Sequence, residues 1–289
     1  MKSAAAGTEA YDDVELDAAR LDDALALSTE ANWNQVADDW RLLFREGKVF
    51  GRVRRRDRAL VASAAVLPLG KRLAWIGMVL VTAGERRRGH ARDLMRRALD
   101  HVAASGATAG LDATPAGLDL YRTLGFEDTD ALMRMGCTLP SPPGQGAGGG
   151  VRRATTADLT RIIDYDAQAF GADRSAVLRD LQTRCPDAAF LAESRGKPTG
   201  LILARPGRVA TQIGPLVADD PETAEHLLTA ATTALSGPVI VDVFPHHNAM
   251  RTLLAHLGFT EQRPFTRMLN GALRLPNDRT GLSAGPELG

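Results

Sequence analysis

Cysteine, net charge and long apolar runs are all scarce in this chain of 289 residues. The two cysteines, Cys137 and Cys185, form neither a disulfide framework nor a closely spaced metal-ligand cluster, so no metal is expected. The 35 basic and 35 acidic side chains cancel, which gives no electrostatic reason to expect nucleic acid or a membrane as partner. The longest apolar run, residues 59–69, is too short to span a bilayer. Since the N-terminus also lacks an apolar signal core, we expect a cytoplasmic protein.

The chain has enough apolar residues, 44%, for a sizeable core. Residues 139–150 are dominated by Gly and Pro and predict a linker. This linker separates a block at residues 1–138 from a second block at residues 151–271. Residues 272–289 are rich in Pro, Gly and polar side chains, and this composition predicts a flexible tail.

The two blocks share a short pattern that indicates duplication. In residues 124–135 and in residues 257–268, a Leu-Gly-Phe triplet is followed at the same spacing by Arg-Met. A strand-like segment that ends in an apolar residue and Asp precedes each copy, at residues 111–112 and 241–242. Two short matches can arise by chance, but their common order favours duplication.

The apolar periodicity predicts the same type of fold for both blocks. The first block has the predicted order α-α-β-β-β-α-β-α-β, with helices at residues 16–27 and 34–44, and the second block is similar. Helices that alternate with strands in this way are typical of an α/β or α+β protein. Each block is therefore predicted to hold a central mixed β-sheet flanked by helices.

One segment of the first block carries a pattern suited to phosphate. Between residues 79 and 91 a β-branched strand ends, a small and basic turn follows, and an amphipathic helix begins. The free amides and the positive dipole end of such a helix favour an anion. Gly89 and Ala91 leave space for a ligand close to the backbone. The alternative is a basic turn that is simply solvated.

The order of elements around this turn resembles the GNAT superfamily of acetyl-CoA-dependent N-acetyltransferases. The pyrophosphate signature of that family, Gln/Arg-x-x-Gly-x-Gly/Ala, matches Arg86, Gly89 and Ala91. A late helix with a Tyr before a Gly-Phe pair matches Tyr121 and residues 125–126. The chain as a whole resembles tandem members of the family, with a complete first domain and a degenerate second domain.

The resemblance implies that acetyl-CoA is the cosubstrate and that it lies along one strand and the turn after it. The strand would diverge from its neighbour and pair with the pantetheine arm, and the turn would surround the pyrophosphate. The residues assigned to acetyl-CoA in this way are Met78, Val79, Leu80, Val81, Arg86, Arg87, Arg88, Gly89, His90, Ala91, Arg92, Thr114 and Tyr121.

The resemblance also implies catalytic roles. Tyr121 would be the general acid that protonates the departing thiolate. Many family members use a Glu on the fourth strand as the base, but residues 75–78 contain no carboxylate. Asp112 is a candidate substitute, with a capping role in the next turn as the alternative. An enzyme and a non-catalytic acyl-CoA sensor or scaffold therefore both remain open.

The acceptor implied by the resemblance is a primary amine, on a small molecule or on a peptide Lys. The candidate residues for the acceptor pocket are Trp33, Asn34 and Asp39. The second block has acidic residues at 219–222 where the first block is basic, and Leu254 replaces the Tyr. Because carboxylates repel a pyrophosphate, the second block is expected not to bind CoA. Both a monomer and a homodimer fit the sequence.

Overall fold

The structure is a computed structural model that describes residues 10–140, 150–276 and 278–289. Most of the linker predicted at residues 139–150 therefore lies outside the described residues. The described part of the chain forms a sheet of 13 strands with helices on both sides. The predicted mixed sheet flanked by helices is confirmed. None of the helices in these residues is both long and apolar enough to cross a membrane.

The first block follows the predicted order, with one strand more. The strand β1, Tyr11–Leu16, precedes the predicted helices and pairs with β2. The periodicity missed it because only one of its residues, Leu16, is fully buried. The remaining elements are α1 (Leu21–Glu30), α2 (Ala37–Glu46), β2 (Lys48–Arg54), β3 (Leu60–Leu69), β4 (Leu73–Val81), α3 (His90–Ser105), β5 (Thr108–Ala113), α4 (Leu118–Thr123) and β6 (Glu127–Leu139).

The second block repeats this order and ends in a strand that the sequence did not predict. Its apolar periodicity again marks the helices and most of the strands. The elements are β7 (Val151–Arg153), α5 (Leu159–Phe170), α6 (Ser175–Arg184), β8 (Phe190–Ser194), β9 (Lys197–Arg205), β10 (Thr211–Ala218), α7 (Pro221–Ala234), β11 (Gly237–Val243), α8 (Asn248–His256), β12 (Thr260–Asn270) and β13 (Thr280–Leu282).

The two blocks share one continuous sheet because their last long strands are exchanged. The central strand order is β5-β12-β6-β11, so β12 of the second block lies beside β5 of the first. In return, β6 of the first block lies beside β11 of the second. β6 and β12 also pair with each other along most of their length. The blocks are therefore joined through backbone hydrogen bonds, and neither sheet is complete without a strand of the other block.

Two buried ion pairs accompany the exchange. Arg267 on β12 stands opposite Asp112 on β5, and its guanidinium donates to both carboxylate oxygens at 2.9 Å. Arg134 on β6 makes the corresponding bidentate pair with Asp242 on β11, at 2.8 and 2.7 Å. The Arg and Asp positions of the sequence repeat thus pair crosswise, each Arg with the Asp of the other block.

The prediction of a flexible tail at residues 272–289 is wrong. Strand β13 pairs with both β10 and β11, and Ala284 and Leu288 are fully buried. The chain then lies directly on β4, where a Cβ atom on Gly77 would come within 3.0 Å of the Glu287 backbone. Composition is a poor guide here because Gly and Pro permit this close backbone approach, and the buried groups are bound by residues distant in sequence.

Candidate active site

The strands β4 and β5 diverge as the resemblance implies. They pair in parallel only at Leu73, Ala74 and Trp75, opposite residues 108–110. Beyond Trp75, β5 continues along β12, and β4 continues only along β3. The edge of β4 that faces the gap therefore offers backbone hydrogen-bonding groups to a ligand.

A bulge in β4 sets the position of this edge. The register between β3 and β4 shifts between Ser63 and Ala65, and Met78 has a φ of 53°, which is rare for a residue with a side chain. The buried Ser63 hydroxyl donates to the Met78 carbonyl at 2.8 Å and holds that carbonyl away from the gap. Met78 and Val79 both line the cavity that begins here.

The basic turn ends in a helix start that is not capped by any side chain in the described part of the chain. Helix α3 begins at His90, and its N-cap residue Gly89 has a φ of 89°. A Cβ atom on Gly89 would meet nothing within 4 Å among the described residues. The first amides of α3 and the space in front of them therefore fit a phosphate group.

Glu85 lies on the buried side of the turn and links it to β1 and β2. This carboxylate is buried and accepts hydrogen bonds from the Tyr11 hydroxyl at 2.7 Å and from Arg54 at 2.8 Å. Burial opposes its ionisation, but the Tyr11 hydrogen bond and the Arg88 charge outweigh burial and lower the pKa of Glu85. The side chains of Arg86, Arg87, Arg88 and Arg92 remain exposed on the outside of the turn.

His90, the first residue of α3, faces inward. Its side chain is 3% exposed and its ring packs edge-on against Tyr11, with 4.6 Å between the ring centres. His90 could therefore contribute only its backbone amide to acetyl-CoA binding, because its imidazole lies on the protein side of the turn. Ala91 follows with a small side chain that is only partly exposed.

Tyr121 lies at the other end of the gap. Tyr121 lines a cavity of about 60 Å³, the inner cavity, together with Met78, Val79, Asp112 and Thr114. Burial raises the pKa of Tyr121 to about 12, so its hydroxyl stays protonated at neutral pH. Within the described residues this hydroxyl has no hydrogen-bond partner, and it is available to a ligand.

Asp112 lines the same cavity but is not free to act as a base. Both of its oxygens accept from Arg267, and its side chain is only 1% exposed. Burial raises the pKa of this carboxyl, while the Arg267 charge acts in the opposite direction. The pair joins β5 to β12, which explains Asp112 through the fold and weakens its assignment as the general base.

Asp39 does not belong to the acceptor pocket, and this assignment is corrected. Its carboxylate is fully buried and accepts from the Val36 amide at the start of α2. The same carboxylate accepts from Arg184 and Arg205 of the second block, both at 2.7 Å. Asp39 thus connects the two blocks, and it is absent from the described residues that line the cavity.

Trp33 and Asn34 do line the cavity. Trp33 also lines a second, outer cavity of about 450 Å³, so its ring forms part of the wall between the two spaces. The Asn34 side chain accepts from the amides of Val209 and Ala210 and donates to the Ala210 carbonyl. Asn34 therefore holds a loop of the second block against the cavity.

In the second block, strand β13 occupies the corresponding gap between the strands, and a cavity of about 460 Å³ remains beside it at the start of α7. Between β10 and β11, which pair in parallel at their starts, strand β13 inserts and pairs with both. The start of α7 is capped by Asp220, whose carboxylate accepts from the Thr223 amide at 2.8 Å. Leu254, at the position that corresponds to Tyr121, is fully buried in the apolar core.

Several residues that line the cavities escaped the sequence analysis, among them the charged Glu287 and Arg263. Glu287 is buried against Gly77, and Arg263 on β12 lies between the inner and outer cavities. Neither belongs to a motif, and each reaches the site from the second half of the chain. Only the strand exchange and the path of the tail bring them to β4.

Comparisons with known proteins agree with this geometry. Residues 15–129 match a family model described as an acetyltransferase (GNAT) domain, and residues 162–284 match another model with the same description. The chain is 25% identical over 236 residues to an uncharacterized N-acetyltransferase of Bacillus subtilis, YitH, covering 81% of this chain and 83% of that protein. It is 25% identical over 174 residues to the holothin acyltransferase of a Pseudoalteromonas species, covering 59% of this chain and 57% of that protein.

Solved structures share the two-block fold. A proposed acetyltransferase from Pyrococcus horikoshii superposes with a TM-score of 0.80 at 21% identity, covering 100% of this chain and 99% of that one. The tandem GNAT protein from the clavulanic acid biosynthesis pathway superposes with a TM-score of 0.63 at 16% identity, covering 92% and 100%. Because two GNAT domain models together span most of its sequence, this chain belongs to the GNAT acetyltransferase family, with two such domains in tandem.

Proposed function

We propose that this protein is an acetyl-CoA-dependent N-acetyltransferase that transfers an acetyl group to a primary amine in its first block. The observation that carries the proposal is the gap between β4 and β5, with the uncapped start of α3 at one end and the Tyr121 hydroxyl at the other. GNAT domains in general bind acetyl-CoA, and each part of this gap suits one part of that molecule.

The start of α3 and the edge of β4 would each bind one part of acetyl-CoA. The amides at the start of α3, with Arg86 to Arg88 around them, would hold the pyrophosphate. The edge of β4 at Met78 and Val79 would pair with the amides of the pantetheine arm. Bound acetyl-CoA supplies the acetyl group as an activated thioester.

Tyr121 holds the proton that the departing sulfur needs. Because burial raises the pKa of Tyr121 to about 12, the phenol keeps its proton at neutral pH. A thiolate released beside it can take this proton, and the nitrogen of the new amide gives up its own surplus proton in return. The backbone amides of the bulge in β4 would donate to the thioester carbonyl oxygen.

Replacing Tyr121 by Phe is expected to lower kcat by about 10²–10⁴-fold, the usual contribution of general acid catalysis. Affinity for acetyl-CoA should change little, since the hydroxyl is all that is lost. The measurement is single-turnover thiol release together with calorimetric CoA binding. Tyr165→Phe is the matched control, because Tyr165 is also mostly buried but donates to Thr199 and Asp219 in the second block. An unchanged kcat in Tyr121→Phe would exclude Tyr121 as the acid.

We also expect calorimetry to give one CoA site per chain. In the second block β13 occupies the gap and Asp220 occupies the helix start, so the backbone groups that would bind CoA are already bonded. Two equivalent sites, or a site mapped to residues 218–222, would contradict this expectation. Binding without thiol release across a wide panel of amines would instead support the sensor or scaffold function.

A further inference from the structure

The outer cavity has an uncompensated positive charge. Of the described residues that line it, only Arg134 and Arg263 are charged. Arg134 is neutralised by its bidentate pair with Asp242. Arg263 lies over the Phe265 ring, 4.8 Å from its centre, and no carboxylate of the described residues lies within ion-pair distance of it.

The surroundings of Arg263 favour the arrival of an anion. Burial and the charge of Arg134 lower the pKa of this guanidinium, and the charges of Asp242 and Glu287 oppose them only in part, so the protein alone stabilises the charge poorly. The guanidinium can bind a carboxylate or a phosphate through two parallel hydrogen bonds. Because Arg263 also lines the inner cavity, an anion bound there would lie close to the gap in the sheet.

The inner cavity has a negative charge, at Glu287, where the outer cavity has a positive one. One carboxylate oxygen of Glu287 accepts from Arg205, while the other oxygen is buried and has no hydrogen-bond donor among the described residues. Glu287 is 2% exposed and lies against Gly77 of β4. Asp112, the other carboxylate that lines this cavity, has both oxygens bound by Arg267. A buried acceptor oxygen without a donor favours a ligand that brings N–H groups.

We propose that the acceptor is an amine that also carries an anionic group, with Arg263 binding the anion and Glu287 receiving the ammonium. This inference rests on the proposed function, since it names the acceptor of the same site. Trp33, which lines both cavities, would separate the two ends of the acceptor. A carboxylate and a phosphate would both satisfy Arg263.

The proposed reaction moves three protons from the acceptor ammonium and the Tyr121 hydroxyl. The bound ammonium gives one proton to Glu287, which passes it to solvent, and the neutral amine then attacks. The N–C bond forms while the C–S bond breaks, Tyr121 protonates the sulfur, and the second nitrogen proton restores Tyr121. One proton is released for each amide formed, as the exchange of an ammonium for a neutral amide requires.

The test compares amines that differ only in their anionic group. The pairs are γ-aminobutyrate with γ-aminobutyramide, β-alanine with β-alaninamide, and phosphoethanolamine with ethanolamine. Thiol release gives kcat/KM for each amine, and Trp fluorescence in the presence of CoA gives its affinity. We expect the anionic member of at least one pair to be favoured about 10–100-fold, because its charged group forms hydrogen bonds with Arg263 that the neutral member cannot match. The carboxylate and phosphate pairs identify which anion is preferred.

Variants assign the two charges separately. Arg263→Gln should bring the ratio between the members of the preferred pair close to one. Arg274→Gln should keep that ratio, since Arg274 is exposed and its carboxylate neighbour is Glu127. Glu287→Gln should weaken the binding of every amine about equally, with little change in acetyl-CoA binding. Glu287→Asp should recover part of the lost affinity for the amines. A melting temperature measured for each variant identifies any that fail to fold. If Arg263→Gln does not fold, Arg263→Lys takes its place in the fluorescence titrations.

The outcomes separate the inference from the function on which it depends. Thiol release with equal use of anionic and neutral amines, or a ratio that survives Arg263→Gln, overturns the inference alone. Discrimination in binding without any thiol release overturns the transferase function and supports the anion site. Glu287→Gln with normal amine kinetics removes Glu287 from the acceptor site.

Discussion

Replacing Arg267 by Met is expected to lower the free energy of unfolding by about 3–5 kcal/mol, the usual cost of leaving one partner of a buried ion pair without the other. The Asp112 side chain is only 1% exposed, and both of its oxygens depend on this guanidinium. Met keeps much of the packing of Arg267 between Trp75 and Phe244. The lost stability therefore reflects the unpaired Asp112 carboxylate. Urea unfolding measures the change in the free energy of unfolding.

Two further variants isolate the effect. In Arg267→Met with Asp112→Leu, most of the stability should return, because no charge remains in the interior. Arg274→Met removes an exposed partner of Glu127 and should cost less than about 1 kcal/mol. A double variant as unstable as the single one would mean that the ion pair is not the cause.

The loss in Arg267→Met should also depend on pH. Without Arg267, burial would hold the pKa of Asp112 above its unfolded value, so the folded state would bind a proton that the unfolded state releases. Such a group destabilises the protein as the pH rises above the unfolded pKa. The single variant should accordingly lose less stability at about pH 5 than at about pH 8.

The second large effect is expected at the start of α3. Gly89→Glu should weaken acetyl-CoA binding by roughly 10²-fold, since a carboxylate at about 4 Å from a phosphate costs about 1–4 kcal/mol near a protein surface. The added side chain would extend into open space in front of the helix amides, where the pyrophosphate is proposed to lie. Calorimetric titration with CoA measures the change.

Gly106→Glu is the matched control for this variant. Gly106 ends the same helix with a φ of 71°, and its Cβ direction is also open, so both variants carry a similar backbone strain. Only the variant at position 89 should lose CoA affinity. Equal losses at both ends of α3 would mean that strain, and not charge, weakens binding, and a normal affinity in Gly89→Glu would place the pyrophosphate elsewhere.

Most elements of each block follow from local sequence patterns, with β1 and β13 as exceptions. The apolar spacing of α3 predicts a stripe that is buried at Leu94, Met95, Ala98 and Val102 and half-buried at Leu99. The turn after β4 and the Tyr before Gly-Phe mark the two ends of the proposed cofactor gap. These features depend on neighbours within a few residues, which is why sequence periodicity and motif spacing predict them.

The partners of the strands were decided by the tertiary structure. The repeat places an Asp on β5 and β11 and an Arg on β6 and β12, so the sequence alone allows either Arg to pair with either Asp. Alternation along a strand specifies which face is buried, but it does not specify which strand lies alongside. The same holds for the residues after 272, whose composition resembles a mobile tail. Their burial depends on a gap between β10 and β11 of the second block and on the surface of β4 of the first block, and the shared sheet brings these two surfaces together.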